Sequence, residues 1–363
     1  MKKPFLHSES AADVGMEIQQ SYDRLLETTR KWIDILHFDP LLETGLTPKD
    51  IVWRKNKSRL YRYVNHKGYK HRTPILMLYA LINKAYILDL RPGMSLVEYL
   101  VDRGFDVYLL DWGEFDWEDR DLSFSQIIAD YISRAVYKVC QYSNVNELSI
   151  LGYCMGGTMA TMYASLYSQP RIKNMIYVAA PIDFGDAGLS SIWLKASVFD
   201  VDKVTDTFSL IPKEFVDLGL KMLNPVNNFV ATYTRLWKAI DEGVSIEAWK
   251  ALNKWVDDNI NFPGKAYREW VKYLYQENAL VKDEFIINGR KVVLSNIDAA
   301  LLVLTGKTDH IVLPQQCTPI LELSSSQDKT NLQYPVGHGG LVFGSRARNE
   351  VYPTIAEWLA QRS

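Results

Sequence analysis

The sequence predicts an α/β fold in which a mostly parallel central sheet is covered by helices on both faces. Apolar runs of strand length alternate with amphipathic helical segments along the chain. The runs PILMLYAL (74–81) and DVYLLDW (106–112) are almost uninterrupted, which is typical of parallel strands buried on both faces. A long helix-rich stretch, 182–295, separates two late strands, and its length indicates an insertion rather than a crossover connection.

The same patterns predict each element in chain order. Residues 17–37 have apolar side chains at helical spacing, and 51–64 contains two strands joined around Asn56-Lys57. The remaining elements are a strand at 74–81, a helix at 94–103, a strand at 106–112, a helix at 124–142, strands at 147–152, 175–181, 299–309 and 332–338, and a helix at 348–361. We therefore expect an N-terminal helical arm (1–45), a core formed by 46–181 and 296–363, and a cap (182–295) inserted into the core.

The composition excludes several classes of partner and setting. A formal net charge of −2 and a pI of about 6.3 argue against nucleic acid as a partner. No apolar run reaches the roughly 18 residues that a membrane-spanning helix needs. The cysteines, Cys140, Cys154 and Cys317, are too few and of odd number for a disulfide framework, which favours a reducing, cytoplasmic setting. The sequence lacks metal-ligand spacing, a phosphate-binding loop and a dinucleotide fingerprint, so we expect no metal and no cofactor.

Residues 152–157, GYCMGG, form the most informative motif. An apolar strand ends at Gly152 and a helical pattern begins after Cys154, which puts Cys154 on a sharp strand-to-helix turn. Gly152 and Gly156 each lie two residues from it, the spacing of the nucleophile elbow in the α/β-hydrolase fold. The following helix N-terminus favours a thiolate, and the Met155 N–H would face the oxygen that becomes negative in acyl transfer. The competing interpretation is a small buried cysteine in a glycine-rich turn.

A nucleophile in that fold is followed in the chain by an acid and then by a histidine. Asp309 follows the strand 299–309, and His338 follows the last strand. Four of the six histidines precede Cys154, and His310 adjoins the acid, where its ring would not reach the cysteine. His338 is therefore the predicted base and Asp309 the predicted acid, although Asp309 is also suited to cap the helix that follows it. The other two cysteines lie in helical segments and are predicted to be structural.

Several stretches resemble one family, the polyhydroxyalkanoate synthases, which replace the serine of the lipase motif with cysteine. These stretches are YALINKAYILDL (79–90), YLVDRGFDVYLLDWG (99–113), GYCMGG (152–157), the Asp309-His310 pair, GLTPKDIVW (45–53) and NFPGKAYREWVKYLYQEN (261–278). The resemblance runs from about residue 40 to the C-terminus. The single-subunit members of the family carry a large N-terminal domain that is not seen in this sequence. In this respect the chain resembles the catalytic subunit of the two-subunit classes. The Bacillus-type class (class IV) is the most similar, and class III stays open.

The resemblance implies an acyltransferase that polymerises (R)-3-hydroxyacyl-CoA, expected to be 3-hydroxybutyryl-CoA, into polyester and releases CoA. It implies Cys154 as the covalent acyl carrier, and it adds the backbone N–H of Ile82 as a second oxyanion donor beside Met155. It also suggests His310 as a contact for the acyl-CoA. The implied partners are a small synthase subunit of the PhaR or PhaE type and the surface of a polyester granule in the cytoplasm.

Alternatives remain open at this level. A cysteine-dependent thioesterase would share the triad and use water as the acceptor, and a non-catalytic granule-associated scaffold would not use it. Either Asp309 or His338 would activate the 3-hydroxyl, and chain growth would use one Cys154 or two across a homodimer. The arm would pack on a partner, on polymer or on its own domain.

The aromatic residues of 182–295 would form either a larger core or an apolar cover that excludes water: Trp193, Phe199, Phe208, Phe215, Trp237, Trp249, Trp255, Phe262 and Trp270.

Overall fold

The computed structural model describes residues 43–224 and 246–363, together with helical residues 16, 19–27 and 29–30 near the N-terminus. Within this part of the chain the central feature is an eight-stranded sheet with the strand order β1-β2-β4-β3-β5-β6-β7-β8. The strands are β1 Lys49–Lys55, β2 Ser58–Tyr63, β3 Ile75–Leu78, β4 Val107–Asp111, β5 Glu147–Tyr153, β6 Arg171–Val178, β7 Ala300–Gly306 and β8 Lys329–Tyr334.

Strand direction confirms the predicted mostly parallel sheet. β1 and β2 form an antiparallel hairpin, β2 pairs antiparallel with β4, and strands β3 to β8 pair in parallel. The hairpin turns at Asn56, whose φ of 49° lies in the left-handed region that asparagine tolerates. Because the carboxyl ends of parallel strands meet at one edge of a sheet, the loops that follow β3, β5, β7 and β8 lie at the same edge.

Helices cover the sheet and make up most of the described part of 182–295. They are α1 Leu96–Asp102, α2 Ser133–Ser143, α3 Met155–Leu166, α4 Leu189–Trp193, α5 Val201–Phe208, α6 Lys213–Met222, α7 Ile246–Asp257, α8 Gly264–Glu269, α9 Pro314–Cys317, α10 Ile320–Leu323 and α11 Tyr352–Ala360. Helix α2 continues a helical run that begins at Phe124–Gln126 and passes through a π-helical turn, Ile127–Ile132. Further π-helical turns are Trp270–Gln276 after α8 and Ala347–Val351 before α11.

Short elements complete the connections. Single 3₁₀ turns occur at Ala85–Leu88, Trp117–Asp119, Leu294–Asn296 and Gly339–Leu341. Three small antiparallel ladders pair Asp89–Arg91 with Met94–Ser95, Leu210–Ile211 with Phe262–Pro263, and Ile286–Ile287 with Arg290–Lys291.

Several predicted strand boundaries are wrong by three or four residues. β3 ends at Leu78 rather than 81. β6 spans Arg171–Val178 rather than 175–181, and its start was missed because its first residues include polar side chains that hide the apolar pattern. β7 ends at Gly306 rather than 309. β8 spans Lys329–Tyr334 rather than 332–338, since it is an edge strand with mostly exposed residues and Pro335 has no N–H for a sheet hydrogen bond.

The aromatic residues of 182–295 divide between core and surface. Phe262 and Trp270 are buried, as the larger-core interpretation expects, whereas Trp193 and Phe208 are exposed. Trp237 lies outside the described residues. For the predicted helix 17–37, the described residues 19–27 and 29–30 are helical and exposed, and the others lie outside the described part.

Candidate active site

Cys154 occupies a strained turn between β5 and α3. Its backbone has φ 53° and ψ −128°, a conformation that side-chain-bearing residues rarely adopt. Two backbone hydrogen bonds hold the turn: Cys154 N donates to Val178 O at 3.0 Å, and Gly157 N donates to Cys154 O at 2.9 Å. The cysteine is therefore fixed to the end of β6 as well as to its own strand and helix.

The glycines around Cys154 are required by close packing. A Cβ atom on Gly152 would meet the Cα of Gly157 at 2.3 Å, and one on Gly156 would meet the backbone oxygen of Leu78 at 2.3 Å. Both contacts are with backbone, which has no room to yield. The first turn of α3 therefore packs directly on the end of β3, and the loop that follows β3 lies beside the cysteine.

Asp309 and His338 form a buried hydrogen-bonded pair. His338 Nδ1 donates to Asp309 Oδ2 at 2.8 Å, and the side chains are 10% and 0% exposed, respectively. The second carboxylate oxygen, Oδ1, accepts from the backbone N–H groups of Ile311 and Val312 at 2.9 and 3.0 Å. Asp309 thus caps the turn that follows β7 and orients the imidazole at the same time.

His338 also faces Cys154. Burial disfavours the imidazolium, but the charges of Asp309 and Cys154 and the hydrogen bond to Asp309 raise the pKa of His338 to about 10. Because Nδ1 is bound to Asp309, the other ring nitrogen is the one available to the thiol. Cys154 is only partly buried, so a substrate has access to it. The structure therefore brings together the cysteine, the acid and the histidine that the sequence singles out, in an arrangement suited to nucleophilic catalysis.

The remaining predicted residues surround this arrangement. Met155 is the first residue of α3, whose N-terminus receives no hydrogen bond from the Cys154 side chain. Ile82 lies in the loop after β3, and its carbonyl accepts from Ile260 N at 3.0 Å. His310 is half-buried, and burial lowers its pKa; Asp309 acts in the opposite direction and His338 in the same one.

Cys140 and Cys317 are buried and form no disulfide. Burial raises the pKa of Cys140 to about 11, and burial likewise raises the pKa of Cys317 well above that of an exposed thiol. Neither is poised as a nucleophile, in agreement with a structural role.

Sequence reasoning missed two tyrosines at the site. The ring of Tyr153 lies 5.2 Å from that of His338, with 33° between the planes, and its buried hydroxyl has no partner among the described residues. Tyr275 is partly buried and packs edge-on against Phe184, and burial together with the nearby Cys154 raises its pKa. Tyr153 lies inside the GYCMGG motif and so had a local signal. Tyr275 lies in the stretch 261–278 that resembles the family, but nothing in that stretch predicts its approach to Cys154, which it follows by more than a hundred residues.

The described residues contain no group of three or more histidine, cysteine or acidic side chains arranged to hold a metal ion. In the same part of the chain, no helix combines the length and the apolar character needed to cross a membrane.

Comparisons with known proteins agree with this fold. Residues 73–344 match the family described as alpha/beta hydrolase fold, and residues 27–100 match the N-terminus of poly-beta-hydroxybutyrate polymerase (PhaC). A soluble variant of monoglyceride lipase from Saccharomyces cerevisiae superposes with a TM-score of 0.56 at 12% identity, covering 90% of this chain and 98% of that one. At this identity the likeness shows the fold alone.

Two curated relatives carry the name poly(3-hydroxyalkanoate) polymerase subunit PhaC. The protein of Haloferax mediterranei is 35% identical over 323 residues, which are 89% of this chain and 65% of that protein. The protein of a Synechocystis species is 32% identical over 362 residues, which are 97% of this chain and 95% of that protein. The chain therefore belongs to the poly(3-hydroxyalkanoate) polymerase family, whose members are acyltransferases on an α/β-hydrolase fold.

Proposed function

We propose that this protein polymerises (R)-3-hydroxyacyl-CoA, with 3-hydroxybutyryl-CoA as the expected substrate, into polyester through a covalent thioester on Cys154. The observation that carries the proposal is the placement of Cys154 on a strained elbow, facing the buried pair of His338 and Asp309, in a chain of this polymerase family.

In the first step, the raised pKa of His338 favours an imidazolium that holds the proton given up by the Cys154 thiol, and the thiolate attacks the carbonyl carbon of the acyl-CoA thioester. A new carbon–sulfur bond forms, and the oxyanion is held by the N–H groups of Met155 and Ile82. The bond to the CoA sulfur then breaks, and His338 returns its proton to the leaving CoA thiolate. One thioester replaces another, so the step is nearly balanced in free energy.

In the second step, a 3-hydroxyl group gives its proton to a base and its oxygen attacks the acyl carbon on Cys154. The oxoester bond forms, the carbon–sulfur bond breaks and Cys154 leaves as a thiolate. A hydroxyl group needs a base within about 3 Å, because its own pKa lies far above 7. Both carboxylate oxygens of Asp309 are engaged, one by His338 and the other by two backbone N–H groups. We therefore assign the base in both steps to His338, and Asp309 orients it and stabilises its positive charge.

Polymerisation requires that the hydroxyl group of the growing chain, and not water, attack the acyl group on Cys154. The partly buried Tyr275 and the buried Trp270, which contact each other, come from 182–295 and lie near the site, and apolar walls of this kind exclude water. We propose that 182–295 is a cap inserted into a catalytic core of 46–181 and 296–363, preceded by an arm at 1–45. The cap must open for CoA to enter and leave.

We further propose a small partner subunit of the PhaR or PhaE type and attachment to the polyester granule surface. The described part of the cap carries exposed apolar side chains that suit an apolar surface, with Ile192 59% and Val198 68% exposed. The similarity of 45–53 and 104–113 to the Bacillus-type class favours a PhaR-type partner.

The test is CoA release from (R)-3-hydroxybutyryl-CoA, with the pellet analysed for polyester, in the presence and absence of the partner. Wild type is compared with Cys154→Ala and with Cys140→Ala, which removes a buried thiol away from the elbow. Insoluble polymer that is lost only in Cys154→Ala supports the proposal. Soluble hydroxy acid as the sole product would identify a thioesterase. Unchanged CoA release in Cys154→Ala would show that Cys154 is not the nucleophile.

A further inference from the structure

The loop that follows β3, residues 79–86, is held from two sides, and this loop contains Ile82. On the core side, the indole N–H of Trp112 donates to Tyr79 O at 3.3 Å, and the Tyr79 hydroxyl donates to Asp111 Oδ1 at 3.0 Å. These bonds fix the first residue of the loop to the end of β4.

On the other side, three hydrogen bonds join the loop to residues 255–260, at the end of α7 and just beyond it. The indole N–H of Trp255 donates to Lys84 O at 2.8 Å, and Ile260 N donates to Ile82 O at 3.0 Å. The Tyr86 hydroxyl donates to Asp258 Oδ2 at 3.0 Å. All three bonds bridge positions that are far apart in the chain, so they form only when this part of 182–295 is seated on the core.

The environment of these bonds makes them strong. Ile260 is 3% exposed and Trp255 is partly buried. Burial and the neighbouring Asp258 raise the pKa of Tyr86, so its hydroxyl remains a donor throughout the working pH range. Hydrogen bonds shielded from water hold their geometry more firmly than exposed ones.

An oxyanion donor is sensitive to small displacements. A donor must lie about 2.7–3.1 Å from the developing oxyanion, and a shift of about 1 Å removes most of its effect. The Ile82 carbonyl and the Lys84 carbonyl are both held by residues 255–260, so the loop cannot turn unless these bonds break. We propose that residues 255–260 hold the oxyanion loop in its working geometry, with Trp255 and Tyr86 as positioning residues. This inference rests on the proposed function, because it needs acyl transfer at Cys154.

The experiment separates acyl transfer from the general reactivity of the thiol. Acylation of Cys154 by (R)-3-hydroxybutyryl-CoA develops an oxyanion, whereas alkylation by iodoacetamide does not. Both rates are measured at the Cys154 peptide by mass spectrometry, in wild type, Trp255→Phe and Tyr86→Phe. The matched control is Trp358→Phe, which removes an indole N–H that donates to Thr330 Oγ1 at 3.1 Å, in α11 and away from the loop.

We expect acylation to fall about 5- to 30-fold in Trp255→Phe, and less in Tyr86→Phe, with alkylation within about 2-fold of wild type, since a displaced donor costs less than the 10²- to 10³-fold of a deleted one. Trp358→Phe is expected to change neither rate. Acylation in both loop variants equal to that in Trp358→Phe would overturn the positioning role, and so would an equal loss of acylation and alkylation. A wild type that is alkylated but never acylated would refute the proposed function itself, and the inference with it.

Discussion

His338 Nδ1 lies 2.8 Å from Asp309 Oδ2, and the carboxylate that binds it is held in turn by two backbone N–H groups. The imidazole therefore has one fixed tautomer and one fixed direction, toward Cys154. This contact joins the loop after β7 to the loop after β8, and it directs the imidazole toward the elbow after β5.

Replacing Asp309 by asparagine should abolish most activity and leave the fold intact. The amide oxygen can still accept from the N–H groups of Ile311 and Val312, but the amide N–H₂ cannot stabilise a positive imidazole. We expect CoA release to fall by about 10²-fold or more, the size of a lost general-base function. Steady-state CoA release and a thermal melt measure the two effects. More than a tenth of wild-type activity with an unchanged melting temperature would contradict the role of the acid.

The raised pKa of His338 predicts a pH dependence of stability. In the folded protein this pKa is about 10, above the value of about 6.5 of an unperturbed histidine. The folded state then binds a proton that the unfolded state has lost, so the contribution to stability is full below pH ~6.5 and disappears as the pH rises through about 10. The melting temperature of wild type should fall more steeply across this window than that of His338→Gln. Parallel curves for the two proteins would show that the charge of His338 does not couple to folding.

Gly156→Ala should destabilise the protein, because its methyl group would overlap the backbone oxygen of Leu78 at 2.3 Å. Forcing apart backbone that packs this closely costs about 1–3 kcal/mol or more. Gly219→Ala is the matched control: it lies within α6, and a Cβ there meets nothing within 4 Å. The control should gain about 0.5–1 kcal/mol from helix propensity. Urea denaturation compares the two, and equal stability of both variants would contradict the close packing at the elbow.

Removing only the hydroxyl of Tyr153 and removing its whole ring should have different effects on stability and activity. Its ring packs against His338, and its buried hydroxyl lacks a partner among the described residues. Tyr153→Phe keeps the ring and removes an unsatisfied group, which typically costs about 1–3 kcal/mol, so stability should rise and activity stay within about 3-fold. Tyr153→Ala removes the support of the imidazole, and activity should fall about 10-fold even where the protein remains folded.

Melting temperature and CoA release, measured on both Tyr153 variants, test this assignment. If Tyr153→Phe lost as much activity as Tyr153→Ala, the hydroxyl rather than the ring would be the functional part.

Much of the fold and of the candidate site was predictable because its signals are local. The apolar runs of β3 and β4 mark buried parallel strands, and the glycines on either side of Cys154 mark a turn that no larger side chain would fit. The order of nucleophile, acid and histidine along the chain then selects Asp309 and His338. Each of these signals is contained in a few neighbouring residues or in simple chain order.

The edges of the elements were less predictable. The start of β6 and the whole of β8 carry polar or exposed residues, because edge positions face water and need no apolar side chains. Only pairing with a neighbouring strand defines them as sheet.

The sequence by itself determined the elbow, the residues suited to a triad and the parallel sheet that presents them. Only the tertiary structure decided that Tyr153 supports the ring of His338, that Tyr275 approaches Cys154, and that Trp255 binds the loop containing Ile82. The physical reason is that strand and turn preferences are set by adjacent side chains and backbone. Contacts between residues about 120 to 185 positions apart depend instead on how completed elements pack, and the residues that make them carry no mark of it in their own neighbourhood.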